Sequence, residues 1–181
     1  MSMSTVLVSG IPRSGTSMLM RMLDAGGIGL YVDAVRRADE FNPHGYFEHD
    51  CVRNIAQSND FLHDVGDRAV KIVAPLVTHV PPDFAGKMLY VLRDTNAVMR
   101  SQLRMLRGRG QFAADPENTL ALVSEMLRRT DDYLNRCWKT RMLTLKYEEV
   151  TGEPIGEARR IADFLDRDLD IESMAAAVDA W

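Results

Sequence analysis

Cysteine is nearly absent from this chain: its 181 residues include two, Cys51 and Cys137. Two cysteines exclude a disulfide scaffold, and their isolation does not suggest a metal site. Apolar runs last only a few residues, far short of the roughly 20 that a membrane-spanning helix needs, so no membrane span is expected. Met1-Ser-Met-Ser shows no basic segment followed by a long apolar one, so no signal peptide is evident and a cytoplasmic location is expected. Repeats, low-complexity tracts and linkers are also missing. Residues 1–181 therefore read as one domain, long enough to bury roughly 70% of its unfolded surface in a single core. Net charge is −4, which excludes nucleic-acid binding driven by overall electrostatics. Lysine is scarce too: of 22 cationic side chains only Lys71, Lys87, Lys139 and Lys146 are lysines, and 18 are arginines. Arginine suits forked binding of phosphate or sulfate, although genome-wide composition produces the same skew.

What is present alternates between strand and helix. Val6-Leu-Val, flanked by Thr5 and Ser9, reads as a buried strand. Gly10-Ile-Pro-Arg-Ser-Gly15 is turn-rich, and from Thr16 the spacing of Met18, Leu19, Met22 and Leu23 predicts a helix that Gly26-Gly27 stops. Residues 28–47 read as irregular, with turn chemistry at Asn42-Pro43-His44-Gly45. A helix is expected over about 48–62, strands at Ala69–Val73 and Met88–Leu92, and a helix over about 97–106. Gly108-Arg-Gly110 breaks that helix, and Pro116 suits the first turn of a long one reaching about Trp138. A fourth strand is expected at Arg141–Lys146, then helices at 155–165 and 171–180. This alternation predicts βαβ units and a three-layer α/β/α, P-loop-like domain with a mostly parallel central sheet.

The motif at 10–17 carries the chemistry. Gly10-x-x-x-x-Gly15-Thr16-Ser17 fits the frame of a P-loop with threonine in place of its lysine. Glycines alone would mark only a tight βα turn. With a strand before them, Pro12-Arg13 within, and a hydroxyl pair opening a helix, they point to anion binding by helix-start amides and the helix dipole. A cation stands earlier in the loop, at Arg13.

Pro12-Arg-Ser-Gly-Thr-Ser17 resembles the 5′-phosphosulfate-binding loop of sulfotransferases that use 3′-phosphoadenylyl sulfate (PAPS). The longer run Pro12 to Ala25 is similar to the start of tyrosylprotein sulfotransferases, which also carry arginine in this loop. Asn42-Pro-His-Gly-Tyr-Phe-Glu48 resembles a segment of bacterial sulfotransferase-like proteins. Leu89-Tyr-Val-Leu-Arg-Asp94 followed by Ser101 reproduces the family's arginine-to-serine spacing at the 3′-phosphate site, and Leu143-Thr-Leu-Lys-Tyr147-Glu is similar to its strand ending in Tyr-Glu. The likeness runs in family order from Thr5 to about Leu165.

That resemblance implies transfer of a sulfuryl group from PAPS to a hydroxyl or amine by in-line displacement, with PAPS or its product 3′,5′-adenosine bisphosphate (PAP) held by Arg13, Ser14, Gly15, Thr16, Ser17, Arg93, Ser101 and Tyr147. It implies no metal. Arg13 and the loop amides would meet charge developing on the bridging oxygen, and a general base must take the acceptor's proton. Cytosolic members carry Lys-Thr-His where this chain has Lys71-Ile72-Val73, so that histidine is absent. Glu48 and Asp33 are the carboxylate candidates for the base, with His44 a third. The family's C-terminal Arg-Lys-Gly clamp has no counterpart after Leu165. Arg104, Arg107 and Arg109 are candidates to replace it, against the simpler reading of a solvated basic face. The expected acceptor is a small molecule, and the sequence leaves oligomeric state open. Two other readings stay open at this point: a P-loop kinase or NTPase using Asp94 for magnesium, and a non-catalytic nucleotide-binding module.

Overall fold

The first strand, β1 (Thr5–Ser9), is buried along its whole length, and its side chains divide between two cores as the pleat requires. Val6 and Val8 face one apolar cluster, and Leu7 faces the other. In the computed structural model, which describes residues 4–33, 35, 38–40, 42, 44–108 and 116–179, β1 pairs in parallel with β2 (Ala69–Lys71) on one side and β3 (Gly86–Leu92) on the other. β3 pairs in parallel with β4 (Met142–Lys146). The order is β2-β1-β3-β4, so the chain leaves the central β1 in both directions. Ligands of such sheets bind at the carboxyl ends of the strands beside that reversal.

Helices cover both faces, giving the expected three layers. On one, α1 (Thr16–Ala25), α6 (Pro154–Leu165) and α7 (Ile171–Asp179) bury Met18, Met22, Ile161, Leu165 and Met174 against Val6, Val8, Leu89, Val91 and Leu145. On the other, Leu134 near the end of α4 (Pro116–Cys137) and the fully enclosed Trp138 pack against Leu7, Val70, Ile72, Met88 and Tyr90. α3 (Thr95–Gly108) runs from the end of β3 and lays Val98 against Ile11 and Ala74, with Val123, Met126 and Leu127 of α4 behind.

The four strands and the helices α1, α3, α4, α6 and α7 lie within a few residues of their predicted positions. The helix expected over 48–62 does not form. Its place is taken by a 3-10 turn (Asp50–Asn54) and a four-residue α2 (Leu62–Val65). Side chains there compete with the backbone for hydrogen bonds. His49 Nδ1 accepts from the Cys51 amide at 3.4 Å, and Ser58 Oγ accepts from the Asp60 amide at 3.3 Å while donating to its carboxylate at 2.8 Å. Gly152 ends α5 (Tyr147–Gly152), which follows β4 directly. Pro43, Arg109, Gly110 and the last expected helical residue, Ala180, lie outside the described residues.

Candidate active site

A cavity of about 590 Å³ opens at the carboxyl ends of the strands. The loop between β1 and α1 forms its floor. Gly15 takes φ 110°, a left-handed conformation that glycine adopts without strain. A β-carbon there would stand 2.6 Å from the Tyr147 ring, so glycine is required twice over. Arg13 also has a positive φ, 76°, costly for a side chain of its size and held here by its contacts. Its Nε donates to Ser101 Oγ at 3.0 Å, and its carbonyl accepts from Arg93 Nη1 at 3.0 Å.

Arg93 leaves the end of β3, and its guanidinium lies 4.0 Å from the centroid of the Tyr147 ring, a stacking geometry that arginine favours. Arg93 Nε is buried and has no hydrogen-bond partner. A buried donor left unpaired costs about 1–3 kcal/mol unless a ligand completes it. Arg13, Arg93, Ser101, Tyr147, Gly15, Thr16 and Ser17 all line the cavity, so residues from three separate motifs meet in one place.

Two members of the predicted set sit differently. Ser14 does not line the cavity: its hydroxyl is buried and unpartnered beneath the loop, and its amide donates to the Ile11 carbonyl at 3.1 Å. The turn at Ile11–Ser14 consumes the donor that was expected to face an anion. The amides available at the start of α1 are those of Gly15, Thr16 and Ser17. Ser17 turns its hydroxyl away from the arginines. It accepts from Lys71 Nζ at 3.2 Å and from Asn42 Nδ2 at 3.3 Å, and donates to the Tyr46 carbonyl at 3.4 Å.

Lys71 and Asn42 were not singled out from the sequence as site residues. Lys71 is 3% exposed, forms an ion pair with Glu48 Oε1 at 3.2 Å, and donates to the Tyr46 carbonyl. The signal was available, because Lys71 is the only charge in an otherwise apolar strand, and lysine is almost never buried without a partner. Asn42 is 2% exposed and ties the irregular segment to itself, donating to the Gly45 carbonyl at 2.5 Å.

Of the two carboxylate candidates, Glu48 lies at the cavity beside Lys71 with its side chain 26% exposed. Asp33 also lines the cavity, but both of its oxygens are engaged. The Asp50 amide donates to Oδ2 at 2.5 Å and the Val35 amide to Oδ1 at 2.9 Å. Those two amides, with His49 3.6 Å away, hold the Asp33 carboxyl below the usual carboxylate range. Exposed His44 reaches the rim. Arg104 and Arg107 are exposed and do not line the cavity, and Arg109 lies outside the described residues. Asp94 accepts from the Ala97 amide at 2.8 Å and so caps α3. Among the described residues no helix is long and apolar enough to cross a membrane, and no group of three or more metal-ligating side chains gathers.

Residues 3–181 match the family described as the sulfotransferase domain. No curated protein matches by sequence. Among solved structures, the chain is similar to the sulfotransferase domain from the curacin biosynthetic pathway, with TM-score 0.59, 16% identity, and 93% of this chain and 75% of that one covered. It is similar to the sulfotransferase of Alicyclobacillus acidocaldarius, with TM-score 0.55, 18% identity, and 90% and 80% covered. It also resembles mouse sulfotransferase SULT7A1 complexed with PAP, with TM-score 0.62, 15% identity, and 98% and 64% covered. At these identities the likeness is one of fold, and the family match is what assigns the chain. The chain belongs to the sulfotransferase domain family.

Proposed function

We propose that this sulfotransferase takes PAPS as donor and transfers its sulfuryl group to a hydroxyl or amine of a small-molecule acceptor. The observation that carries the reading is the buried, unpartnered Nε of Arg93 beside Ser101 and Arg13. It leaves an unpaired guanidinium N–H for an anion at the carboxyl end of β3, separate from the amides that open α1. Two anion sites on one cavity fit a nucleotide bearing charged groups at both its 5′ and 3′ positions. Arg93 and Ser101 would hold the 3′-phosphate, Gly15, Thr16 and Ser17 amides the 5′ end, and Tyr147 would back the Arg93 guanidinium. Bound PAPS supplies an activated sulfuryl group, whose bond to the 5′-phosphate oxygen breaks as a bond to the acceptor oxygen or nitrogen forms.

The chain's own groups do the rest. The Arg13 guanidinium exchanges its Ser101 contact for the oxygen on which the leaving electron pair collects, a preorganised electrostatic stabilisation. Glu48 takes the acceptor's proton, and its ion pair with Lys71 holds that carboxylate at the cavity. Asp33, with both oxygens held by amides, anchors the loop that carries the base. A cavity of about 590 Å³ falls in the range of small-molecule sites, which supports a small acceptor. The same proposal takes residues 1–181 as one domain, with a cytoplasmic location in keeping with two free cysteines.

Thermal unfolding with PAP tests it. At about 100 times its Kd, PAP without magnesium should stabilise the protein by about 2.7 kcal/mol. A preference for ATP with magnesium would instead favour a kinase, and PAP binding with no sulfate transfer to a panel of alcohols and amines would leave a nucleotide-binding module.

A further inference from the structure

Among the described residues, two unpartnered buried side-chain atoms belong to residues lining the cavity: Arg93 Nε and Gln102 Oε1. Arg93 Nε is a donor, and an anion accounts for it. Gln102 Oε1 is an acceptor, so no phosphate or sulfate oxygen can satisfy it. It needs an N–H or O–H from a ligand, since an unpaired buried carbonyl costs about 1–3 kcal/mol.

Helix geometry shows which end of the cavity Gln102 serves. It lies one turn beyond Val98 on α3, and residues four apart share a helix face. Val98 packs on Ile11 of the loop and on Ala74, which follows β2, so this face of α3 looks toward the loop and the segment that follows β2. The neighbouring cavity wall there is apolar, formed by Val73, Leu76 and Met105. Gln102 thus puts a hydrogen-bond acceptor into an apolar stretch, on the β2 side that also carries Lys71 and its partner Glu48.

We infer that Gln102 is a specificity-determining residue. It selects acceptors that carry, on an apolar body, a second hydrogen-bond donor besides the group that receives sulfate: vicinal diols, amino alcohols or hydroxy amides. The inference rests on the proposed sulfotransferase reading: the reacting hydroxyl gives its proton to Glu48, and Gln102 takes a second donor of the acceptor rather than the nucleotide's own 2′-hydroxyl or adenine amine, which is why PAP affinity is measured in the same variants. An amide turned end for end would offer Nε2 instead and select an oxygen, and Gln102→Glu separates the two cases.

The test is calorimetric titration of PAP-saturated protein with octane-1,2-diol and with octan-1-ol, which match in apolar length and undergo no turnover without PAPS. The native protein should bind the diol about tenfold more tightly, the size of one buried hydrogen bond. Gln102→Met should bring the diol down to the level of the mono-alcohol and leave PAP affinity unchanged. Gln102→Glu, whose carboxylate only accepts, should keep the preference. Equal affinities in the native protein, absence of binding by both alcohols, a preference that survives Gln102→Met, or one lost in Gln102→Glu would each overturn the assignment. The PAP titration that precedes the alcohols is read separately. A protein that takes no PAP overturns the sulfotransferase reading itself, whereas one that takes PAP and treats the alcohols alike overturns the role of Gln102 alone.

Discussion

The arginine end of the cavity, around Arg13, Arg93 and Ser101, is assembled from α3 and the residues that follow β1 and β3, whereas the lysine end joins Lys71 of β2 to Glu48, Tyr46 and Asn42, which lie outside the named strands and helices. At the arginine end the partners lie 80 and 88 residues apart in sequence, yet Ser101 sits in α3, Arg93 follows directly on β3 and Arg13 lies in the short loop joining β1 to α1, and Arg93 keeps a buried donor without a partner. At the lysine end the polar groups close on one another. Lys71 meets Glu48, Ser17 and the Tyr46 carbonyl, and Asn42 meets Ser17 and Gly45. An unpaired donor suits ligand binding, and a network of paired groups suits the placing of one reactive carboxylate.

That contrast is most sharply broken by Glu48→Gln against Arg13→Ala. Loss of the proposed base should lower turnover by about 10²–10⁴, and should also remove the acidic limb from the pH profile of kcat/KM. Loss of the guanidinium should lower turnover by about 10²–10³ but leave that limb in place, with PAP binding still measurable. Steady-state kinetics from pH 5 to 9 with a PAP titration distinguishes them. A flat profile in native protein, or a limb that survives Glu48→Gln, would move the base elsewhere. Normal turnover in Arg13→Ala would take Arg13 out of the mechanism.

The same contrast governs what can be read in advance. The phosphate loop is contiguous, so its strand, glycines and helix start were legible as a unit. Arg93 and Ser101 are legible only through the family's arginine-to-serine spacing, because an arginine and a serine eight residues apart do not by themselves mark a site. Ser14 sits differently from its neighbours because one backbone hydrogen bond, to Ile11, occupies its amide, and no residue pattern reports that bond. The helix expected over 48–62 fails for a related reason: Val52, Ile55 and Leu62 have helical spacing, but His49 and Ser58 spend side-chain atoms on the local backbone, and the Asp60 carboxylate holds the Ser58 hydroxyl. Lys71 advertised itself by interrupting an apolar strand. Asn42 and Gln102 did not, because a buried amide looks like a surface one until its neighbours are known.

A smaller effect is expected at the joint between the segment 28–49 and the loop. Asn42→Ala removes the donor to Ser17 and Gly45 from a site 2% exposed, and should cost about 1–3 kcal/mol, or several degrees in melting temperature. PAP affinity should change little, because Ser17 turns its hydroxyl away from the arginines. Calorimetric melting with and without PAP measures both. If PAP affinity falls in step with stability, the two ends are one unit and the contrast between them fails.

The smallest effect is present near neutrality and disappears in acid. Asp33 accepts from the Asp50 and Val35 amides, and these bonds lower its carboxyl pKa in the folded protein. A carboxyl with a depressed folded pKa adds stability that is complete above its ordinary value of about 3.9 and disappears as pH falls through the folded value. Asp33→Asn keeps one acceptor oxygen and loses the charge. It should therefore be less stable than native protein from pH 5 to 8, and the gap should close below about pH 4. Urea unfolding of both proteins across that range reads the difference directly. A gap that stays constant down to pH 3 would mean that the charge does nothing there and that the lysine end is held by Lys71 and Asn42 without help from Asp33.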